Sequence, residues 1–207
     1  MNEPQPNLRT MTVAATGASG SLFTREMLRR LEGDARVGCV NLVSSDAGLR
    51  VMAEELALSG RGHLLEQLLD SAPRKINLLA NQDIGATIAS GSYPTDAMLV
   101  LPCSMGTLAR IAQGMSSCLI ERAADVCLKE RTRLVLCVRE TPLNLVHLRN
   151  MTQAAEAGAT IYPLIPTFYN RPASLDEMVR NYVDRVLKHI GLPQPDAYVW
   201  QPGAKQT

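Results

Sequence analysis

Short, continuous apolar runs alternate with segments of helical period along the whole chain, and that alternation leaves few folds open. The runs fall at 11–15, 37–43, 76–80, 97–101, 134–138 and 160–164. They are largely apolar at successive positions, the pattern of strands buried on both faces. Between them, Ser21–Glu32 places Leu22, Phe23, Met27, Leu28 and Leu31 on one helical face. Segments 46–58, 62–69, 106–113, 117–129, 143–157 and 175–190 read the same way. Strand and helix in strict alternation predict an α/β three-layer sandwich: a parallel sheet covered by helices and joined by right-handed crossovers. No linker divides the chain, so residues 1–207 read as one domain, with extended tails at 1–9 and about 193–207.

Composition removes several function classes. The 207 residues are 46% hydrophobic and 20% charged, enough for a core that needs no staple. Lys+Arg number 21 against 20 Asp+Glu, so the basic excess of a nucleic-acid binder is missing. No apolar run reaches membrane-spanning length, and the polar, proline-bearing N-terminus is no signal peptide. Five cysteines (39, 103, 118, 127, 137) form no CxxC pair and read as reduced residues of a cytoplasmic protein. Histidines 63, 147 and 189 are scattered, so no metal site is expected.

Ligands of open parallel sheets bind at the carboxyl ends of the strands. Standing there are Thr16-Gly17-Ala18-Ser19-Gly20, Ser44-Ser45-Asp46, Pro102 to Thr107, Arg139-Glu140-Thr141-Pro142, and Pro166 to Pro172. Most are rich in Gly, Ser and Thr or carry charge. A phosphate-bearing cofactor needs close backbone approach, hydroxyl donors and a free helix N-terminus, which these turns offer. Arg122 and Lys129, seven apart, share one helix face with Asp125 close by. Two readings stay open there: a solvated face with pairs such as Asp125–Lys129, or a cationic wall for a phosphate. Arg139-Glu140 admits an ion pair or a ligand contact. Cys103 has no histidine partner and reads as a buried small residue.

Taken together, these segments resemble the UbiX flavin prenyltransferase family. The match runs in family order through TGASG (16–20), ASGS (89–92), LPCSMGTL (101–108), LIERAADVCLKER (119–131), LVLCVRETPL (134–143), HLRNM (147–151) and FYNRP (168–172). The resemblance implies a flavodoxin-like, Rossmann-like fold and a homo-oligomer, typically a dodecamer, with FMN near subunit interfaces. The implied reaction needs no metal. It joins the prenyl group of dimethylallyl monophosphate to N5 and then C6 of reduced FMN, and the prenylated FMN passes to a UbiD-type decarboxylase. Implied FMN contacts are Gly17, Ala18, Ser19, Ser44, Ser104, Met105, Gly106, Thr107 and Arg139. Implied allylic-phosphate contacts are Ser90, Gly91, Arg122, Lys129, Glu140, Tyr169, Arg185 and Trp200. Ser19 (beside flavin N5), Glu54 (handling a proton), Lys129 and Glu140 are the implied catalytic set. The chain departs from many relatives at Ser45 and Ile84.

Two competing classes follow from the same residues. An FMN-dependent cysteine decarboxylase would need a histidine base after an early strand, and none occurs before His63. A non-catalytic FMN carrier would have no use for Arg122, Lys129, Glu140, Tyr169 and Arg185.

Overall fold

The computed structural model describes residues 8–59 and 63–199. Strands β1 (Arg9–Ala15), β2 (Val37–Ser44), β3 (Ile76–Ala80), β4 (Ala97–Cys103), β5 (Arg133–Val138) and β6 (Thr160–Ile161) form one sheet in the order β3-β2-β1-β4-β5-β6. Every neighbouring pair is parallel. The order runs outward in opposite directions from β1 and β4, which makes their carboxyl ends the switch point where such sheets open a crevice.

Helices α1 (Ser21–Gly33), α2 (Asp46–Glu55), α3 (Leu64–Leu69), α4 (Met105–Ala112), α5 (Leu119–Lys129), α6 (Leu145–Glu156) and α7 (Leu175–His189) complete the alternation. On one face of the sheet Ala14, Val43, Met98, Val100, Leu134 and Leu136 share a core with Leu108 and Ile111 of α4 and Ile120, Ala124 and Cys127 of α5. Strand side chains alternate, so Leu99 and Leu101 point the other way. There Thr24 of α1 donates to the Leu101 carbonyl at 2.7 Å, and α1 buries Met27, Leu28 and Leu31. The predicted flavodoxin-like, three-layer class is the observed one.

The two largest boundary differences from the periodicity are three residues each. The last strand stops at Ile161 although Tyr162 and Leu164 still donate to β5, at Leu136 and Val138. Pro163 stands between them, where the missing N–H faces the open edge of the sheet, a position that tolerates proline. Helix α2 ends at Glu55, with Ala57 in the left-handed region at φ 51°. The chain groups into two compact units divided between Leu164 and Ile165; the second holds the 166–172 strap and α7.

Candidate active site

The crest of the sheet is tied together by one side chain. Thr16 follows β1 directly; its hydroxyl donates to the Pro102 carbonyl at 2.8 Å and accepts from the Ser104 N–H at 2.8 Å. The TGASG turn and the Ser104–Thr107 turn are therefore held as one unit across the switch point. Thr16 is 2% exposed, so these bonds form out of competition with water. The adjoining turn is fixed as firmly: the Ser45 N–H donates to the Ala15 carbonyl at 3.0 Å.

The glycines explain how closely the turns approach. A Cβ on Gly17 would lie 2.6 Å from the Ala47 Cβ. One on Gly48 would lie 2.6 Å from the Ala15 carbonyl oxygen. Neither distance is tolerable, so the β1 turn and the start of α2 can meet only through glycine. Beside them Gly17 and Ser19 are exposed and Ala18 is buried. Ser104 caps α4 by accepting from the Thr107 N–H, and its hydroxyl also contacts that of Thr107 at 3.1 Å. Met105 and Thr107 are buried while Gly106 faces solvent.

Two implied residues are placed differently from the expectation. Glu54 turns outward and pairs with Arg50 at 3.0 Å, both side chains largely exposed. It does not reach the TGASG turn. Glu55 does: its carboxylate accepts from the Gly20 N–H at 3.0 Å and the Ser21 N–H at 2.7 Å. Burial pushes this carboxyl up, but hydrogen bonds from the Ser19 hydroxyl and from the Ser21 and Gly20 N–H groups outweigh it and hold it below the ordinary glutamate range. Glu55 thus closes the N-terminus of α1, which has no N-cap side chain of its own. Ser44 is buried, and its hydroxyl turns back to the carbonyls of Ala15 and Ser45. Its neighbour Ser45 is the N-cap of α2, accepting from Gly48 at 3.0 Å.

The sequence carried a signal for Glu55. Gly48, Met52 and Glu55 lie at i, i+4 and i+7, on the inward face of α2, and Gly48 and Met52 are its buried residues. Glu54 instead completes an i,i+4 pair with Arg50, the mark of a solvated face. Thr16 offered no comparable signal, because its partners lie on β4, far along the chain.

Arg139 and Glu140 follow β5 beside this crest. The Arg139 N–H donates to the Cys103 carbonyl at 3.1 Å, which fixes the backbone there. Both side chains are exposed, and among the described residues they form no ion pair with each other. Cys103 is fully buried, and desolvation pushes its thiol far above the ordinary range, so it is no nucleophile.

The cationic wall is a separate cluster. Helix α5 starts against the residue after β3, where the Leu119 N–H donates to the Asn81 carbonyl at 2.8 Å, and runs back down the sheet. Lys129, at its far end, lies ~15 Å along the helix axis from Leu119. Arg122 donates to the Ala89 carbonyl at 3.2 Å and pairs with Asp125 at 2.8 Å, so the expected Asp125–Lys129 pair is replaced. Lys129 pairs with Glu130, and the two close over Gly91, where a Cβ would sit 2.6 Å from the lysine Nζ. Gly91 and Lys129 thus meet at the far end of α5, beside Ser90, while Arg122, one turn from its start, reaches Ala89. In the second unit, Tyr169 packs its ring 5.8 Å from that of Tyr198, and Arg185 is exposed on α7. Trp200 lies outside the described residues.

The crest fits FMN: it offers free backbone amides at Gly17 and at the start of α4, hydroxyls on Ser19 and Thr107, and an exposed arginine at 139. Among the described residues no group of three or more His, Cys, Asp and Glu gathers as a metal site, and no helix is long and apolar enough to cross a membrane.

Comparison with known proteins agrees with this architecture. The family model described as Flavoprotein matches residues 2–186. The flavin prenyltransferase UbiX of Salmonella typhimurium is 42% identical over 201 residues, 94% of this chain and 99% of that protein. The crystal structure of AnUbiX in complex with FMN and dimethylallyl pyrophosphate superposes with a TM-score of 0.83 at 37% identity, covering 94% of this chain and 98% of that one. A dodecameric FMN-dependent UbiX-like decarboxylase from Escherichia coli O157:H7 gives 0.82 at 38% identity, over 93% and 99%. The chain belongs to the Flavoprotein family, and within it to the UbiX flavin prenyltransferases.

Proposed function

We propose that the protein is a flavin prenyltransferase that joins the dimethylallyl group of dimethylallyl phosphate to N5 and C6 of reduced FMN, with its site shared between copies of the chain. The observation that carries the second half is the separation of the two clusters. The crest bears the implied FMN residues, and the wall at Ser90, Gly91, Arg122 and Lys129 lies down α5. A donor bound beside Lys129, at the far end of α5, would meet a flavin held at the crest of a second copy. Such a contact closes either as a two-fold pair, crest to wall and wall to crest, or as a ring of copies. A dodecameric relative accommodates such rings.

Reduced FMN supplies the electron-rich nucleophile. The chain's own groups do the rest. Departure of phosphate from the allylic carbon breaks the C–O bond and builds charge on the leaving oxygen. Arg122 and Lys129 stabilise that charge, being fixed before the reaction begins. Glu140 takes a remaining phosphate contact, and the resemblance assigns the same role to Tyr169, Arg185 and Trp200. The Ser19 hydroxyl donates to Glu55, so the carboxylate held beside the flavin turn, the place the resemblance gives to Glu54, is that of Glu55. The product is delivered to a UbiD-type decarboxylase, and the protein works in the cytoplasm.

The cysteine decarboxylase reading lacks its histidine: His63 sits exposed in the turn before α3. The test is mass spectrometry of the flavin after anaerobic incubation with reduced FMN and dimethylallyl monophosphate. A prenyl-sized mass gain that requires the protein is the expected result. Unchanged flavin with both the monophosphate and the pyrophosphate would overturn the assignment.

A further inference from the structure

We propose that Arg110 is an additional FMN-binding residue of this chain and contacts the cofactor's phosphate at the start of α4. The proposal rests on the reading above, in which the Ser104–Thr107 turn takes part of FMN.

Arg110 lies on α4 one turn beyond Gly106, and helical side chains lean back toward the N-terminus of their helix. Its guanidinium accordingly folds back over Gly106. A Cβ there would meet the two η nitrogens at 3.8 and 3.9 Å. The guanidinium is held by its Nε, which donates to the Glu121 carboxylate at 2.5 Å. Glu121 is almost wholly buried and also accepts from the Ser117 N–H at 2.9 Å and the Ser117 hydroxyl at 2.6 Å. Burial would raise this carboxyl, yet the bonds from Ser117 and Arg110 keep it below the ordinary glutamate range, charged at neutral pH. A fixed anion thus positions the arginine, while its two η nitrogens find no hydrogen-bond partner among the described residues.

Those η nitrogens border the exposed side of Gly106, next to the first backbone amides of α4. The Ser104 hydroxyl already occupies the Thr107 N–H, leaving the Met105 and Gly106 amides without an intrahelical acceptor. Two amides, a helix N-terminus and a half-exposed guanidinium on one side of one glycine form a dianion cradle. The ring end of FMN, by contrast, belongs at Ser19. A phosphomonoester at one turn and an aromatic ring at the other divide the crest between the two ends of one cofactor.

The experiment compares binding of FMN and of riboflavin, which lacks the phosphate, to the wild type, Arg110→Gln and Arg110→Lys, with thermal melting and oligomer size as controls. Arg110→Gln is expected to weaken FMN about tenfold or more, the loss of a charge-assisted bond, and to leave riboflavin unchanged. Arg110→Lys, which cannot bond Glu121 and the phosphate at once, should fall between. If Arg110→Gln binds FMN as the wild type does, or weakens FMN and riboflavin equally, the proposal is overturned. Loss of oligomer with an unchanged FMN-to-riboflavin ratio overturns it too, and assigns Arg110 to a contact between copies. Failure of the underlying reading looks different: the wild type itself would bind no FMN, or bind FMN no better than riboflavin.

Discussion

The crest and the α5 wall are built on opposite plans. At the crest the polar groups are spent on one another: Thr16 on Pro102 and Ser104, Glu55 on Gly20 and Ser21, Ser45 on Gly48. The turns are rigid and what faces outward is mostly backbone. At the wall the side chains themselves are the device. Arg122 and Lys129 are each matched to one carboxylate, Asp125 and Glu130, and stay substantially exposed. A rigid backbone nest suits a cofactor that must be held in register. Exposed cations with exchangeable partners suit a phosphate that arrives, reacts and leaves.

The largest expected effect separates the two. Lys129→Ala should lower prenylation by about a hundredfold or more, the loss of a cation stabilising a leaving group, while FMN titration stays at the wild-type value. Gly17→Val should do the reverse, abolishing FMN binding and leaving the wall intact. Neither variant alone is active, but refolding the two together should restore activity to about a quarter of wild type, since one shared site in four then pairs an intact crest with an intact wall. Activity that stays at background in the mixed oligomers would place both halves of the site in one copy.

Next in size are changes to the crest's internal bonding. Thr16→Val keeps the shape but leaves the Ser104 N–H without its acceptor, a cost of about 1–3 kcal/mol. Gly48→Ala drives a Cβ against the Ala15 carbonyl, a cost of about 1–3 kcal/mol from overpacking. Urea denaturation measures both. The comparison predicts that Arg122→Gln, at the wall, shifts the midpoint far less, because an exposed ion pair contributes at most about 1 kcal/mol. Equal shifts would mean that the wall is as structural as the crest.

Much of the frame was legible because it is local. Continuous apolar runs fix strands, and helical periods fix their covering helices. The crest residues follow from being next to strand ends. What was not legible depends on packing across the chain. The distance between Gly17 and Lys129 follows from where α5 starts and which way it runs, and no spacing rule contains that. The Asp125 pairing was likewise settled by rotamers, with Arg122 rather than Lys129 taking the carboxylate. Glu54 and Glu55 were a different failure. Adjacent helical residues point about 100° apart, so Glu54 and Glu55 fall on different sides of α2, and it is Glu55 that continues the stripe of Gly48 and Met52.

That adjacent pair gives the smallest but sharpest prediction. Glu54→Gln removes half of an exposed pair with Arg50 and should change stability by less than about 0.5 kcal/mol. Glu55→Gln replaces the carboxylate shared by Ser19, Gly20 and Ser21 with a neutral amide. The folded-state pKa of Glu55 is lowered, so its contribution is fully present above the unfolded glutamate value of about 4.3 and is lost as pH falls through the folded value. The stability difference between wild type and Glu55→Gln should thus be constant from neutral pH to about 5 and shrink below about 4.3. Because the carboxylate is partly open to solvent, screening limits it to about 1 kcal/mol. Urea midpoints for both variants across that range decide the matter. A difference in Glu55→Gln that does not change with pH would detach Glu55 from the turn that carries Ser19.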